Sequence, residues 1–556
     1  MARARLTATL VAVLVLVAAS PGQAAERARP TGRWLVVFRD RATARPSSAL
    51  SAVLARAGVE RTGRGVPRLG VATVRGSARA LGVLRRDPRV ESVSREWYRV
   101  LRRVPNDPAL HTAEDQYGGV AGGGVIQWAL AREGFYRAWD FTTGAGARLA
   151  VLDSGLDGGH PEFAGKVASA DAVGTTDPLH DADGHGTHTS GLACAATDNG
   201  VGVAGAGWGC RLNFVKLGVT GFGGIRDEDI VDGIRLGTDR GAKTISMSFG
   251  GGGPSAALDR AIDYALSHGV VLVAAASNAP VEDQGAPASQ LQPGDAADLN
   301  AGRGLVVTAA DYFDTSTGSG RGPQVSLTAY GFYDDAPEGP PGLISTYPGN
   351  QATGDPECAR LFACIRRELG GDDRYAYLLG TSMATPQVAA LAALLADLNP
   401  WLSVRDRLRL IKQNARRSGG WNPEFGWGVL DAGAALSAGR QIDRNPPVSR
   451  ARAPKRVRIR RGRRRARVRV RWSGSDPAGR LGLVASGVRS FDLYMRRGRG
   501  RYRRVRRGSQ RHSARLRLRR GAYRFYTRAR DKAGNREAAP RRADARLVVK
   551  RPRGRP

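Results

Sequence analysis

Short apolar runs alternate with helix-like stretches through the middle of the chain, and this alternation constrains the fold more than any other feature. The helix-like stretches are 227–240 and 255–268. The apolar runs have the length of buried strands: 148–152, 212–217, 244–249, 270–276 and 305–309. Strands alternating with helices predict an α/β fold, in which helices cover both faces of a parallel sheet. Functional sites in such sheets form where the strands end, and Asp153 and Asn278 lie at two of those ends.

The positive charge of the chain is concentrated at its C-terminal end. Residues 446–556 contain 40 Lys and Arg against 5 Asp and Glu, which accounts for +35 of the net charge of +36. The chain of 556 residues, 42% of them hydrophobic, is long enough for about three or four domains. This composition argues against wholesale disorder and against an integral membrane protein.

The N-terminus has the pattern of a secretory signal peptide, which we assign to residues 1–25. Two arginines precede the apolar run 10–19, and small residues follow it. The alternative is a retained membrane anchor, but the run is short for a bilayer span. The sequence therefore predicts an exported protein without a membrane span in its mature form.

Four cysteines in an exported chain suggest two disulfides. Cys194 and Cys210 frame one segment, and Cys358 and Cys364 frame a shorter one. Four cysteines allow three pairings, so connectivity stays open, and we favour pairing between neighbours in the sequence.

Three segments place catalytic residue types beside glycine and other small residues. They are residues 151–155 (Val-Leu-Asp-Ser-Gly), 183–191 (Asp-Gly-His-Gly-Thr-His-Thr-Ser-Gly) and 380–386 (Gly-Thr-Ser-Met-Ala-Thr-Pro). His185 and Ser382 each begin a stretch with the pattern of a buried helix. A serine at a helix N-terminus has an outward-directed amide that can stabilise an oxyanion.

The identity and order of these segments resemble the subtilisin-type serine proteases, the subtilases. The resemblance implies that Ser382 is the nucleophile, that His185 is the general base and later the acid, and that Asp153 orients the imidazolium. It covers about residues 106–438 and includes 425–431, which is similar to the closing segment of the family. A lone Asp-Ser-Gly is a common turn, whereas three ordered matches are specific.

The same resemblance implies an oxyanion donor and a strand that binds substrate. Asn278 matches the side-chain oxyanion donor of the family, although Ser277 stands where glycine is usual. Ser248, Phe249 and Gly250 resemble the strand of the family that pairs with extended substrate.

A structural calcium ion is a further implication of the resemblance. Asp107, Glu162 and Asn199 belong to three segments similar to those of the family's calcium site, and their hard oxygen ligands suit Ca²⁺. Glu162 stands where aspartate is usual, and an ordinary polar turn is the alternative. No catalytic cofactor is expected.

Residues 26–104 resemble the propeptide of subtilases, which is an intramolecular chaperone and temporary inhibitor. Strand-like and helix-like runs alternate there as in a small α+β unit: 34–38, 47–57, 71–74, 77–86 and 90–93. The alternative is a permanent extra domain. The peptidase domain is predicted at 105–440.

Beyond a predicted linker at 441–455, residues 456–550 are predicted to form a fibronectin-III-like or Ig-like β domain. Arginine alternates with apolar residues in the runs 456–460, 467–471 and 515–519, which is typical of strands with one charged face. Codon bias explains the choice of arginine over lysine but not the scarcity of acidic residues. The functional alternative is binding to an anionic surface polymer, for example at the cell wall. No motif for specific nucleic-acid recognition occurs.

Together these features predict a secreted, extracellular serine endopeptidase, made as a self-processing zymogen and acting through an acyl-enzyme. Its partners would be protein and peptide substrates and its own propeptide. Two alternatives stay open: an inactive subtilase-fold scaffold, and a polyanion-binding or surface-binding protein dominated by its basic tail.

Overall fold

The computed structural model describes residues 30–40, 48–63, 65–97, 104–116, 120–121, 124–219, 224–333, 339–349, 365–416, 419–477 and 483–552. The predicted signal peptide and the pair Cys358 and Cys364 lie outside these residues. The chain divides into two compact units, Met1–Arg102 and Arg103–Pro556.

The first unit is a four-stranded antiparallel sheet with two helices, as its alternating pattern predicts. The strands follow the order β2-β3-β1-β4. Val36, Leu54 and Leu84 are buried between the sheet and the helices. The elements are β1 Pro30–Phe38, α1 Ser48–Ala57, β2 Glu60–Arg61, β3 Val71–Arg75, α2 Ala78–Arg86 and β4 Val90–Trp97.

The second unit is built on a seven-stranded sheet in which every neighbouring pair is parallel. Its order is β11-β10-β9-β8-β5-β7-β6. The strands are β5 Arg148–Asp153, β6 Val167–Val173, β7 Arg211–Leu217, β8 Thr244–Met247, β9 Val271–Ala275, β10 Leu305–Ala310 and β11 Leu327–Tyr330. The central strands are apolar because both faces of the sheet are covered, and the predicted α/β fold is confirmed.

Helices cover this sheet on both faces. Val151 of β5 packs in one hydrophobic cluster with the helix that contains Val388, whereas its neighbours Ala150 and Leu152 pack in a second cluster with the helices that contain Ile234 and Ile262. The helices are α3 Ala129–Arg132, α4 Phe135–Trp139, α5 His185–Cys194, α6 Asp227–Asp239, α7 Ala256–Ser267, α8 Ala288–Leu291, α9 Thr381–Leu398, α10 Val404–Gln413 and α11 Ala432–Gln441. Within the part of the chain that the structure describes, no helix has both the length and the apolar character that crossing a membrane requires.

A small sheet packs beside helix α5, and a disulfide lies at the C-terminal end of that helix. The small sheet has the order β12-β14-β13, with β12 Leu343–Thr346, β13 Ile365–Arg366 and β14 Tyr375–Leu378. Cys194 and Cys210 form a disulfide, which joins the end of α5 to the residue before β7. The pairing that we favoured for these two cysteines is confirmed.

The C-terminal part of the second unit forms two antiparallel-rich sheets with a shared apolar core. One sheet has the order β15-β17-β20 and the other β16-β22-β21-β18-β19. Val470, Phe525 and Leu547 are buried in the core. The strands are β15 Val448–Arg452, β16 Arg456–Arg458, β17 Ala466–Ser475, β18 Val488–Arg497, β19 Arg503–Ser509, β20 Ser513–Leu518, β21 Gly521–Asp531 and β22 Ala545–Lys550.

One strand of this β region lies inside the stretch that we assigned to the linker at 441–455. Strand β15 pairs with β17, with Ala451 opposite Trp472, and Ala451 is buried at 1% exposure. The β region therefore begins before residue 456. The short sequence Val-Ser-Arg-Ala-Arg has too few apolar residues to be recognised as a strand by its pattern.

The β region contacts the α/β region through both apolar and polar residues. Leu483 packs into the hydrophobic cluster of the α/β region, and the main-chain N–H of Ser486 donates to the Asp443 carboxylate at 2.8 Å. Three carboxylates, those of Asp443, Asp476 and Asp531, have oxygens within 4.8 Å of one another at this junction.

Candidate active site

Asp153 and His185 are brought together where β5 ends and α5 begins. His185 Nδ1 lies 2.7 Å from Asp153 Oδ1, and Thr189 donates a hydroxyl hydrogen bond to the other carboxylate oxygen at 3.0 Å. The close approach depends on Gly186, because a Cβ there would lie 2.2 Å from the main-chain oxygen of Gly155. The glycine that follows His185 in the sequence is therefore required for steric reasons.

The environment of His185 favours its charged form. Burial disfavours the imidazolium, but the carboxylate of Asp153, with those of Asp183 and Asp181 farther away, outweighs this and raises the pKa of His185 to about 9. The buried Asp153 therefore both orients the imidazole ring and stabilises it when it carries two protons.

Ser382 is the second residue of helix α9 and lies next to Ser248, the residue that follows strand β8. Its Oγ donates to the main-chain oxygen of Ser248 at 2.9 Å, and Ser248 Oγ donates to the main-chain oxygen of Ser382 at 2.9 Å. Gly380 precedes this turn with φ +129°, a conformation that favours glycine. The nucleophile candidate is thereby held against the strand predicted to bind substrate.

Asn278 is fixed by the residue that precedes Ser382. Its Oδ1 accepts a hydrogen bond from the main-chain N–H of Thr381 at 2.9 Å and lies 2.8 Å from the Thr381 hydroxyl, whose single proton is shared with the main-chain oxygen of Ala276 at 2.7 Å. Oδ1 is thus engaged by Thr381, and Asn278 lines the cleft, which leaves its Nδ2 group available. An oxyanion donor needs an available N–H group of this kind.

A cleft of about 690 Å³ adjoins these residues. Two walls come from the ends of strands β8 and β9, and a third comes from the loop that contains Asp283. The described residues that line it are Ser248, Phe249, Gly250, Gly251, Gly252, Gly253, Ala275, Ala276, Ser277, Asn278, Asp283, Gln284, Gly285, Thr381 and Ser382. The structure thus gathers Ser382, Asn278 and residues 248–250 in one cleft.

The sequence model of one protein family matches residues 144–428, a stretch that begins just before β5 and includes all four of the residues Asp153, His185, Asn278 and Ser382. That model describes the subtilase family. The chain belongs to the subtilase family. The resemblance seen in the sequence is confirmed, and with it the assignment to the subtilisin-like serine endopeptidases.

Curated subtilases are similar to this one over about half of its length. Thermitase of Thermoactinomyces vulgaris is 32% identical over 262 residues, which are 47% of this chain and 78% of thermitase. The thermophilic serine proteinase of Bacillus sp. (strain AK1) is 33% identical over 307 residues, 54% of this chain and 64% of that protein. Subtilisin Savinase of Lederbergia lenta is 32% identical over 295 residues, 53% of this chain and 91% of its own.

The residues expected to bind calcium in this subtilase lie close together, outside the set of residues that line the cleft. Asn199 Nδ2 donates to Glu162 Oε2 at 3.0 Å, and the N–H of Asp198 donates to the Asp107 carboxylate at 2.8 Å. Glu162 and Asp107 are both 0% exposed. Burial, together with their mutual repulsion at Glu162, raises the pKa of Glu162 to about 8, and burial raises the pKa of Asp107 to about 6.

The donor set at this place suits a divalent cation in its chemistry. Two buried carboxylates supply hard oxygens, and burying such charges without a counter-charge is unfavourable. The Asn199 amide is already engaged, since its Oδ1 accepts the N–H of Val201 at 3.0 Å. Asp107, Glu162 and Asn199 are therefore the residues that would hold the ion, with Asn199 turned toward Glu162 in this structure.

Several site residues of the subtilase were not recognised from the sequence. Thr189 supports Asp153, Thr381 supports Asn278, and Asp283 lines the cleft. Thr189 and Thr381 stand inside the recognised motifs, so their position was a usable signal; Asp283 had none. His188 is buried, and its Nε2 contacts the main-chain oxygens of Leu343 and Ala376, in agreement with a structural role.

Proposed function

We propose that this subtilase is a secreted endopeptidase that hydrolyses peptide bonds through Ser382, His185 and Asp153. The observation that carries the proposal is the 2.7 Å contact between His185 Nδ1 and Asp153 Oδ1 at the end of β5, because β5 pairs with β8, the strand that leads into the cleft containing Ser382. The contact leaves Nε2 of His185 to accept the serine proton.

The reaction follows from these positions. Ser382 Oγ leaves the Ser248 carbonyl, gives its proton to His185 and bonds to the carbonyl carbon of the substrate. His185 then protonates the leaving amine as the peptide C–N bond breaks, and water hydrolyses the acyl-enzyme by the same proton route. Asp153 stabilises the imidazolium that forms in both halves of the reaction.

The negative charge that develops on the substrate oxygen is stabilised by the Asn278 amide and the N–H of Ser382. Asn278 is held in place through its Oδ1, which accepts the main-chain N–H of Thr381 and shares the Thr381 hydroxyl proton with the main-chain oxygen of Ala276. The Ser382 N–H lies at the N-terminus of the 18-residue helix α9, where the helix dipole favours negative charge. Fixed donors of this kind need no reorganisation during the reaction.

We further propose that residues 26–104 act as a propeptide that the enzyme removes from itself. Their separate compact unit, Met1–Arg102, supports this reading, and a permanent domain is the alternative. The proposed export rests on the signal-like sequence of residues 1–25. A Ca²⁺ ion held by Asp107, Glu162 and Asn199 would neutralise two buried carboxylates and tie the start of the peptidase domain to its calcium loop.

The basic C-terminal region is proposed to retain the enzyme on an anionic polymer outside the cell. The charge of +35 in residues 446–556 exceeds what solubility requires, and self-repulsion at this density is destabilising. Retention on a surface would explain why the charge is tolerated.

The test compares hydrolysis of casein by the full chain and by Ser382→Ala, with Ser267→Ala as the control. Ser267 is an exposed serine on helix α7, outside the residues that line the cleft. Ser382→Ala is expected to lose about 10⁶-fold in turnover, the loss found in subtilisin, and to remain joined to residues 26–104. A wild-type chain without hydrolysis would favour the inactive scaffold, and normal turnover of Ser382→Ala would exclude this mechanism.

A further inference from the structure

The sheet β15-β17-β20 has one apolar face and one face made of arginines. In β17 burial alternates strictly: Ala466, Val468, Val470 and Trp472 are buried, and the residues between them are exposed. The neighbouring strands continue the pattern. The exposed arginines of the three strands, called here the arginine face, are Arg450, Arg452, Arg467, Arg469, Arg471, Arg515 and Arg517.

The register places six of these seven arginines directly opposite one another, and Arg450 lies opposite Ser473. Arg467 pairs with Arg517 and Arg469 with Arg515 across β17 and β20, and Arg452 pairs with Arg471 across β15 and β17. Strands lie about 4.8 Å apart, and successive residues on one face are about 6.8 Å apart along a strand. The face therefore carries three rows of paired guanidinium groups, and like charges directly opposite are destabilising.

Among the residues that the structure describes, no acidic side chain forms an ion pair with an arginine of this face. Strands β15, β17 and β20 contain no Asp or Glu. The acidic residues elsewhere in the β region have other partners among the described residues. Asp492 pairs with Arg504 and Arg536, Glu537 binds Ser449, Asp544 binds the N–H groups of Ala451 and Thr527, Asp531 binds Asn535, and Asp476 binds the N–H of Gly487.

We propose that the arginine face is the docking surface for an extended phosphodiester polymer without bases. The proposal rests on the retention function proposed above and names its site. A guanidinium group binds phosphate oxygens through two parallel N–H donors, and two arginines in a row can share one phosphate. In a phosphodiester polymer built on a short polyol, the distance between successive charges is comparable with the distance between successive rows of arginines. In a polysaccharide with one carboxylate per two sugar rings, the distance between successive charges is longer.

The composition of the arginine face disfavours single-stranded nucleic acid as the occupant. Proteins that bind single strands stack the bases on exposed aromatic side chains. The aromatic residue in these three strands, Trp472, points into the core and is 3% exposed. The outward positions offer arginine, serine and valine, which favour a polymer that consists of backbone alone.

The experiment measures binding of the full chain to poly(glycerol phosphate) as a function of salt. The test variant, Arg467→Gln with Arg469→Gln and Arg515→Gln, removes three charges from two rows. The control variant, Arg499→Gln with Arg501→Gln and Arg507→Gln, removes three exposed charges around β19 in the other sheet. At about 0.7 per lost contact, the slope of log K against log salt should fall by about 2 in the test variant, and it should be nearly unchanged in the control.

Folding of the variants is checked by thermal unfolding without polymer. Removal of opposed charges should leave the melting temperature of the test variant unchanged or higher, and added polymer should raise the melting temperature of the wild type and the control but not that of the test variant. A test variant that melts lower would contradict the electrostatic strain on which the proposal rests.

The remaining outcomes separate this proposal from retention in general. Equal losses in both variants would show that net charge alone binds the polymer, which overturns the arginine face but keeps retention. The choice of polymer would be overturned if polygalacturonate bound as tightly as poly(glycerol phosphate) or more tightly. It would also be overturned if oligothymidylate bound more tightly per phosphate than poly(glycerol phosphate). A wild-type chain that binds none of the three polymers at low salt would overturn retention itself.

Discussion

Ser382 and Ser248 exchange two hydrogen bonds, each 2.9 Å long, between the hydroxyl of one residue and the main-chain oxygen of the other. The hydroxyl of Ser382 is thus turned toward the strand that is expected to bind substrate, and not toward His185. An extended substrate that pairs with residues 248–250 would compete for this main-chain oxygen. Substrate binding would then release the Ser382 hydroxyl for proton transfer, as catalytic hydrogen bonds often tighten only in the complex.

The pH dependence of hydrolysis should follow the protonation of His185. The reaction needs the neutral imidazole, and Asp153 and its neighbours outweigh burial and raise the pKa of His185 to about 9. We expect kcat/KM to fall about tenfold per pH unit below that value and to level off above it. The measurement is a pH profile with a peptide substrate.

The same profile in Asp153→Asn should shift its acid limb to lower pH, because the main stabiliser of the imidazolium is lost, while the plateau falls by about 10⁴. Asp232→Asn, a neutralisation on helix α6 outside the residues that line the cleft, should leave the profile in place. An acid limb near pH 6 in the wild type would contradict the raised pKa.

Asn278→Ala should lower turnover by about 10² to 10³ with little change in KM, the figure found for the equivalent donor in subtilisin. The amide acts on the charge that develops in the transition state, so ground-state binding is spared. Steady-state kinetics measure the split. Thr381→Val removes one of the bonds that hold Oδ1 and should cause a smaller loss of the same kind. Unchanged turnover in Asn278→Ala would show that another group is the oxyanion donor.

Removal of calcium should lower the melting temperature, and added Ca²⁺ should restore it. An ion that binds the native state alone stabilises by about 2.7 kcal/mol at a concentration 100 times its Kd. Glu162→Gln should abolish the response to Ca²⁺, whereas Glu228→Gln, an exposed residue of helix α6, should keep it. If neither chelator nor Ca²⁺ changes the melting temperature of the wild type, Asp107, Glu162 and Asn199 belong to an ordinary hydrogen-bonded turn and not to a calcium site.

Asp283 should favour basic residues before the scissile bond. It is the one ionisable side chain among the described residues that line the cleft, and its Oδ1 accepts the N–H of Gly285 at 3.1 Å. Because Asp283 is exposed, a contact with arginine is worth about 1 kcal/mol or less. Asp283→Asn should therefore lower kcat/KM for arginine relative to leucine peptides by up to about fivefold.

Glu282→Gln is the matched control for this measurement, since Glu282 is also exposed but does not line the cleft. The arginine-to-leucine ratio should stay constant in this variant. A ratio that is unchanged in Asp283→Asn, or changed equally in both, would show that the local carboxylate does not select the substrate.

The sequence by itself determined the α/β fold, the alternation of the β region and the identity of the catalytic candidates. Apolar runs of strand length can be buried on both faces only in a covered parallel sheet, and the motif glycines permit close contacts, as Gly186 does against Gly155. These are local properties, and local patterns carry them.

Only the tertiary structure decided which distant residues meet. Asp283 reaches the cleft and Asn199 reaches Glu162 through contacts between loops remote in sequence, and strand β15 was missed because its pairing with β17, not its composition, makes it a strand. The opposition of Arg469 and Arg515 depends on the register of β17 and β20; a shift of one residue would turn every arginine of a strand into the core. The periodicity of a strand shows that it has a charged face, but the partner opposite each charge is decided by the buried core that sets the register.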